Sequence, residues 1–238
     1  MRDILGAKLS LTIGVLSFNE EMSLSDTHSE IQDALLNFPH PYEIILLDDG
    51  STDGTGRISH ELTAIHAETR SLSHRSNRGI GAAVKTIIEE STCTHILFVP
   101  GDNSYGAESL RAVATKMAEA DVVVGKRGVE GVKRWRRMLS LGVRLSTRIW
   151  TYPNSFDSGG LNVYRIELIR SSASVENGYI FFVDTCMQIA RRRPTLIFVP
   201  IKQKDGSGER SNSVKLGELV ALLRVQRRMV ALNLLKKK

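Results

Sequence analysis

Apolar residues along the chain fall into short runs separated by amphipathic stretches of helical length. Leu9 to Phe18 is rich in Leu, Ile and Val and reads as a first strand. Glu20 to Phe38 has helical spacing and is broken by Pro39 and Pro41. Glu43 to Leu47 is a second strand, followed by a helix from about Thr55 to Thr69 and a short strand near Ser71 to His74. Asn77 to Ala83 opens a third helix; Ile96 to Val99 is a strand, Ala107 to Ala118 a helix, and Val122 to Val124 a strand. This βαβα alternation predicts an α/β protein whose mostly parallel central sheet carries helices on both faces.

The pattern changes after residue 125. A basic helical stretch runs to Trp150, followed by the Gly-rich segment Asp157-Ser-Gly-Gly160 and a strand through Val163. A helix over Val183 to Arg192 and a strand over Leu196 to Ile201 come next. Lys204 to Ser213 is polar and Gly-containing and reads as a mobile loop. From Val214 onward, Leu216, Leu219, Val220, Leu223, Val230 and Leu234 lie near helical spacing, predicting a C-terminal amphipathic helix interrupted by Arg224, Arg227 and Arg228.

With 238 residues the chain suits one large domain: a first half over 1–125, a second over 126–213, and the terminal helix over 214–238. Cys93 and Cys186 have no metal-like spacing and read as reduced thiols of a cytosolic protein. The segment Met1 to Lys8 carries charge too early for a signal peptide, and no segment reaches the roughly 18 uninterrupted apolar residues of a membrane span. Eight basic residues between Lys126 and Arg148 face one acid, Glu130. A solvated helix face accounts for such a stretch, and so does a phosphate-bearing or membrane-surface partner. With only Trp135 and Trp150 as aromatics and no nucleic-acid motif, nucleic acid is not an expected partner.

The densest chemistry lies where the second strand ends. Ile44 to Leu47 gives way to Asp48 and Asp49, and Gly50, Ser51, Asp53 and Gly54 then force a turn. In an open α/β sheet, ligands bind beyond the carboxyl ends of the strands, so two acids placed there are positioned to hydrogen-bond a sugar or base. Unused, they would strain the fold. Ser17-Phe18-Asn19-Glu20 closes the first strand in the same way, although Asn19 and Glu20 also suit an ordinary helix N-terminus.

The run Asp48-Asp-Gly-Ser-Thr-Asp-Gly-Thr55 resembles the nucleotide-binding signature of the family 2 glycosyltransferases, and Ser17 to Glu20 is similar to that family's Tyr-Asn-Glu motif with Phe18 in place of Tyr. The resemblance extends from Leu11 to about Lys215 and implies a GT-A fold. It places Ser17, Asn19, Glu20, Asp48, Asp49, Ser51, Asn77, Gly79, Asp102 and Lys215 around a nucleoside-diphosphate sugar. Gly79 and Gly81, at a helix start, would allow close backbone approach to the diphosphate. Val99-Pro-Gly-Asp102-Asn103 occupies the place of the family's Asp-x-Asp metal motif, with Pro100 where the first Asp stands and Asp102 as the last. Asp102, helped by Asn103, would hold Mg²⁺ or Mn²⁺ together with phosphate oxygens and water.

Within the family the chain is most similar to the dolichol-phosphate mannose synthase and polyprenyl-phosphate glycosyltransferase group. There Gly125-Lys126-Arg127, Arg136 and Ser140 would hold an acceptor phosphate, for which the planar guanidinium is suited. Lys215, with Arg210, would belong to a loop closing over the diphosphate, and Asp157 would lie near the acceptor. Asp184 would act as base for a hydroxyl acceptor or orient the sugar for a phosphate acceptor. The implied catalytic set is Asp102, Asp184 and Arg127, and the implied reaction is inverting transfer. The acceptor would be a polyprenyl phosphate at the cytoplasmic face of an anionic membrane, with an integral membrane partner protein also possible in such a setting. A saccharide acceptor, and a silent nucleotide-sugar-binding relative, are the alternatives; Pro100 keeps the last of these open. A sugar nucleotidyltransferase should carry a Gly-rich basic loop after the first strand, and Leu16 to Leu24 has none.

Overall fold

The computed structural model describes residues 8–128, 156, 160–178, 180–204, 224–225 and 227–228. Seven strands form one sheet: β1 (Leu11–Ser17), β2 (Tyr42–Asp48), β3 (Thr69–Ser73), β4 (His95–Pro100), β5 (Val122–Arg127), β6 (Asn162–Arg165) and β7 (Leu196–Ile201), in the order β3-β2-β1-β4-β6-β5-β7. Every pairing is parallel except those of β6, which runs antiparallel to both β4 and β5. Because β6 reverses twice over, β5 and β7 point the same way as β4. The carboxyl ends of β2, β1, β4, β5 and β7 therefore share one edge of the sheet.

Among the described residues, helices α1 (Leu24–Leu35), α2 (Thr55–Ile65), α3 (Ile80–Glu90), α4 (Ala107–Ala114), α5 (Ile166–Arg170) and α6 (Ile180–Ala190) cover the two faces. Strand alternation sorts the core. Ile13, Val15, Ile44 and Leu46 pack with Leu24, Ile31 and Leu110 of α1 and α4. Ile45, Leu47, Ile96 and Phe98 pack with Val84, Ile87 and Phe181 of α3 and α6. Ile44 to Leu47 is fully buried, as expected of an inner parallel strand covered on both sides.

Several boundaries differ from the sequence expectation. The first helix starts at Leu24, not Glu20, because Asn19 has a left-handed backbone (φ 57°) and Glu20 and Glu21 bond to the neighbouring loop. The helix expected to reach Thr69 ends at Ile65, and Thr69 already belongs to β3. The α4 helix stops at Ala114 and α6 begins at Ile180. The five-residue α5 has too few residues for a periodicity to show. Among the described residues no helix is long and apolar enough to cross a membrane.

Candidate active site

The carboxyl ends of β1, β2 and β4 meet in register, Ser17 opposite Asp48 and Leu16 opposite Pro100. The loops that follow are stitched together by polar side chains. Asp48 Oδ1 accepts from the Ser51 N–H (2.9 Å) and the Ser51 hydroxyl (2.5 Å), closing the turn after β2. Ser51 Oγ in turn accepts from the Asn19 N–H at 2.8 Å, and Asn19 Oδ1 accepts from the Thr52 N–H at 2.9 Å. The Glu20 N–H donates to Thr55 Oγ1, and the Gly54 N–H to Glu21 Oε2, both at 2.8 Å. The β1 and β2 loops are one cross-linked unit.

Asp49 does for the next loop what Asp48 does for its own. Its Oδ1 lies 2.6 Å from His74 Nδ1 and accepts from the Arg78 N–H at 3.0 Å; Oδ2 accepts from the Gly79 N–H at 2.8 Å. Asn77 Oδ1 shares the Gly79 N–H at 3.0 Å. The other imidazole nitrogen, His74 Nε2, reaches Thr86 Oγ1 of α3 at 3.0 Å. Both acids are buried, at 7% and 5% exposure. Protein hydrogen bonds hold both oxygens of Asp49, which therefore needs no ligand to be satisfied, whereas Asp48 uses Oδ1 for its own turn and its Oδ2 has no protein partner among the described residues.

The start of α3 differs from expectation in the same sense. The Gly81 N–H donates to the Asn177 carbonyl at 2.6 Å. A Cβ on residue 81 would stand 2.7–2.8 Å from the Glu176 and Asn177 backbone, so the close approach this glycine permits is to the chain's own loop. Lys85 fixes that loop from below, donating to Val175 O (2.9 Å) and Asn177 Oδ1 (2.7 Å). Gly79 has φ 88°, a backbone that favours glycine, and presents its N–H to Asp49.

Asp102 follows β4 and is partly exposed. Its Oδ1 accepts from the N–H of Ser104 at 3.1 Å and from the Ser104 hydroxyl, while Oδ2 has no protein partner among the described residues. Asn103 has a left-handed backbone (φ 54°). Its Oδ1, expected to help Asp102 hold a cation, accepts from Lys204 Nζ at 2.8 Å. The same ammonium lies 2.6 Å from Glu30 Oε1 of α1. The Lys204 hydrogen bond, against the opposing effect of burial and helped by the Ala107 N–H, holds the Glu30 carboxyl below its ordinary range. Lys204, expected at the start of a mobile loop, is thus tied to two elements.

Arg127 ends β5 on the same sheet edge, opposite Ile201. Asp184 lies one turn into α6 and is fully buried. Its Oδ2 is paired with the Arg228 guanidinium and accepts from Gln188 Nε2 at 3.3 Å; Oδ1 has no partner among the described residues. Arg224 lies 3.8 Å from Glu176, and Val225 is buried. Of these arginines, expected to interrupt an amphipathic helix, Arg228 meets a buried acid and Arg224 a partly exposed one. Asp157, Arg136, Ser140, Arg210 and Lys215 lie outside the described residues.

Thr27, Glu30, His74, Thr86, Lys204 and Arg228 were not anticipated. His74 had one signal, its place at the end of a strand beside an Asn-x-Gly turn. Glu30 had none, since an acid on the polar face of α1 is unremarkable in sequence.

A strand-end carboxylate with one unshared oxygen, a basic residue on the same edge, and buried acids that fix the surrounding loops make a rim suited to an anionic ligand and its cation. Comparison with known proteins agrees. The model of glycosyl transferase family 2 matches residues 12–172. An undecaprenyl-phosphate mannosyltransferase of Micrococcus luteus is 30% identical over 203 residues, 80% of this chain and 82% of that protein. A polyprenol monophosphomannose synthase of Mycolicibacterium smegmatis is 28% identical over 172 residues, 66% of this chain and 65% of that protein. Among solved structures, a mannosyltransferase of Pyrobaculum calidifontis in complex with GDP-Man and Mn²⁺ superposes with a TM-score of 0.61 at 16% identity, covering 96% of this chain and 72% of that one. The fold is GT-A, and with the matched region spanning both sides of the rim from β1 to α5, the chain belongs to glycosyl transferase family 2.

Proposed function

We propose that the protein transfers a glycosyl group, with inversion, from a nucleoside-diphosphate sugar to a polyprenyl phosphate. The observation that carries this reading is the 30% identity to an undecaprenyl-phosphate mannosyltransferase across four-fifths of the chain. The condition of Asp184 supports it: a carboxylate that is fully buried and paired with Arg228 is poorly placed to take a proton from a hydroxyl acceptor. A phosphate acceptor is already an anionic nucleophile and has no need of one.

The nucleotide would lie over the β1 and β2 loops, where Ser17, Asn19, Glu20, Asp48, Asp49 and Ser51 gather, with Asn77 and Gly79 at its flank. Here Asp48 and Asp49 act chiefly by holding the loops in shape. A divalent cation, Mg²⁺ or Mn²⁺, would neutralise charge building on the leaving diphosphate. Among the described residues no three His, Cys, Asp or Glu side chains gather as a metal cluster. The unshared Asp102 Oδ2 nonetheless fits a cation that takes one protein carboxylate and completes its shell with phosphate oxygens and water. The Pyrobaculum neighbour's Mn²⁺ is consistent with that arrangement. Arg127, with Arg136 and Ser140, would receive the acceptor phosphate. On this reading residues 1–125 form the donor half and 126–213 the acceptor half. The basic segments would bring the protein to the cytoplasmic face of an anionic membrane as a peripheral protein.

The test is incubation of the purified protein with radiolabelled GDP- and UDP-sugars, a short polyprenyl phosphate and Mn²⁺ or Mg²⁺, followed by solvent extraction. Label entering the lipid phase with one donor is the expected result. No transfer to the lipid from any donor, with label entering an oligosaccharide acceptor when one is supplied in its place, sinks the proposal.

A further inference from the structure

We infer that Lys204 and Glu30 are positioning residues that set the orientation of Asp102, and that Asn103 serves this clamp and is not a metal ligand. The inference rests on the glycosyltransferase reading and adds to it a device outside the strand-end motifs.

The loop after β4 is tethered on both sides of Asp102. On one side, the Gly101 N–H donates to Leu16 O at 2.9 Å, and the Gly101 carbonyl accepts from Thr27 Oγ1 of α1, also at 2.9 Å. On the other, the Asn103 N–H donates back to Thr27 Oγ1 at 2.9 Å, and Asn103 Oδ1 accepts from Lys204 Nζ at 2.8 Å. The Lys204 N–H donates to the Ser104 carbonyl at 2.9 Å, and Ser104 is the residue that grips Asp102 Oδ1. Glu30 closes the circuit, with Oε1 2.6 Å from Lys204 Nζ and Oε2 accepting from the Ala107 N–H at 2.5 Å. Three elements, α1, β7 and the start of α4, thus converge on a loop that exposes one carboxylate oxygen.

Two features argue that the clamp serves that carboxylate. Asn103 holds a left-handed backbone, which Asn adopts more readily than other non-glycine residues, and its contacts with Thr27 and Lys204 fix it there. Its Oδ1, the atom that would join Asp102 on a cation, already receives an ammonium. Lys204 Nζ and a divalent cation would repel each other across one acceptor, so Asn103 holds the loop and Asp102 faces the cation alone. With Pro100 in the position of a second carboxylate, the single remaining acid depends more heavily on its orientation.

The experiment is calorimetric titration of the full chain with GDP and with UDP, each in Mn²⁺ and in EDTA. The unaltered chain is expected to bind one of them more tightly with Mn²⁺. Lys204→Met is expected to lose most of that enhancement, five-fold or more, while affinity in EDTA stays within two-fold; Lys204→Arg should recover a large part of it. Asn103→Gly tolerates the left-handed backbone and removes the acceptor of Lys204 with the rest of the side chain, so it repeats the test should Lys204→Met fail to fold, and it should lower the enhancement less than Asp102→Ala. An unchanged Mn²⁺ enhancement in Lys204→Met, or equal loss with and without metal, overturns this inference alone. Failure of the unaltered chain to bind either nucleotide overturns the glycosyltransferase reading and this inference with it.

Discussion

His74 Nδ1 and Asp49 Oδ1 lie 2.6 Å apart, with both side chains only 6% exposed, and through that contact the end of β2 fixes the turn that launches α3. Removing the carboxylate takes the acceptor from the His74 ring and the Arg78 N–H, while the Gly79 N–H keeps Asn77 Oδ1. Asp49→Ala is expected to lower stability by about 1–3 kcal/mol, chiefly from the buried His74 ring left without its acceptor. Urea unfolding measures it, and a loss below about 1 kcal/mol would show that the loop does not depend on Asp49.

Asp102→Ala should behave in the opposite way. The side chain is partly exposed and its only described partner is Ser104, so stability should change little, within about 1 kcal/mol. Transfer activity should fall by about a hundred-fold or more, since the loss falls on charge stabilisation at the leaving group. Activity retained within ten-fold would remove Asp102 from the site. The companion change Pro100→Asp is expected to tighten Mn²⁺ binding in the presence of nucleotide.

The Asp184–Arg228 pair ties the C-terminal segment to the core. Arg228→Met leaves a fully buried carboxylate without its cation and is expected to destabilise by about 2–3 kcal/mol, discounted because Arg228 is one-third exposed. Replacing both, as Asp184→Leu with Arg228→Met, should restore much of the loss. A double variant no more stable than Arg228→Met would show that the pair's charges are not what matters there.

His28 makes the fold sensitive to acid. Burial first, and the neighbouring His66 second, push its pKa down from 6.5 to about 4, against the opposing pull of Glu68. Its Nε2 bonds Thr69 Oγ1 at 2.9 Å, its ring lies against His66, and Glu68 is held by Gln32 of the same helix. The unfolded chain protonates this imidazole near pH 6.5 while the folded chain resists. Stability from this group is complete above pH 6.5 and declines as pH falls towards 4, by up to about 3 kcal/mol. Unfolding measured between pH 7 and 4 should be flatter in His28→Gln, and an unchanged slope would exclude His28 as the source.

Much of this was legible in the residues. The buried strand Ile44 to Leu47 and the strand-end acids announced both the sheet and the edge that carries the site, because apolar continuity and abrupt polarity are local properties. What the acids do was not legible. Asp48 Oδ1 finds its donors three residues away, but Asp49 finds His74, Arg78 and Gly79 only through the pairing of β2 with β3. The Lys204–Glu30 contact joins residues 174 positions apart, and no spacing rule links them. The reversed β6 was equally hidden, since four residues carry no mark of the direction in which they pair.

That reversed strand imposes an order on synthesis. The parallel unit β1 to β4 can assemble as it leaves the ribosome, but β4's outer edge is covered by β6, made only after β5. Until residue 165 has emerged, a nascent chain offers neighbours a bare, apolar strand margin of the kind that recruits foreign strands. A chain truncated between β5 and β6 is therefore expected to self-associate more readily than one that includes β6.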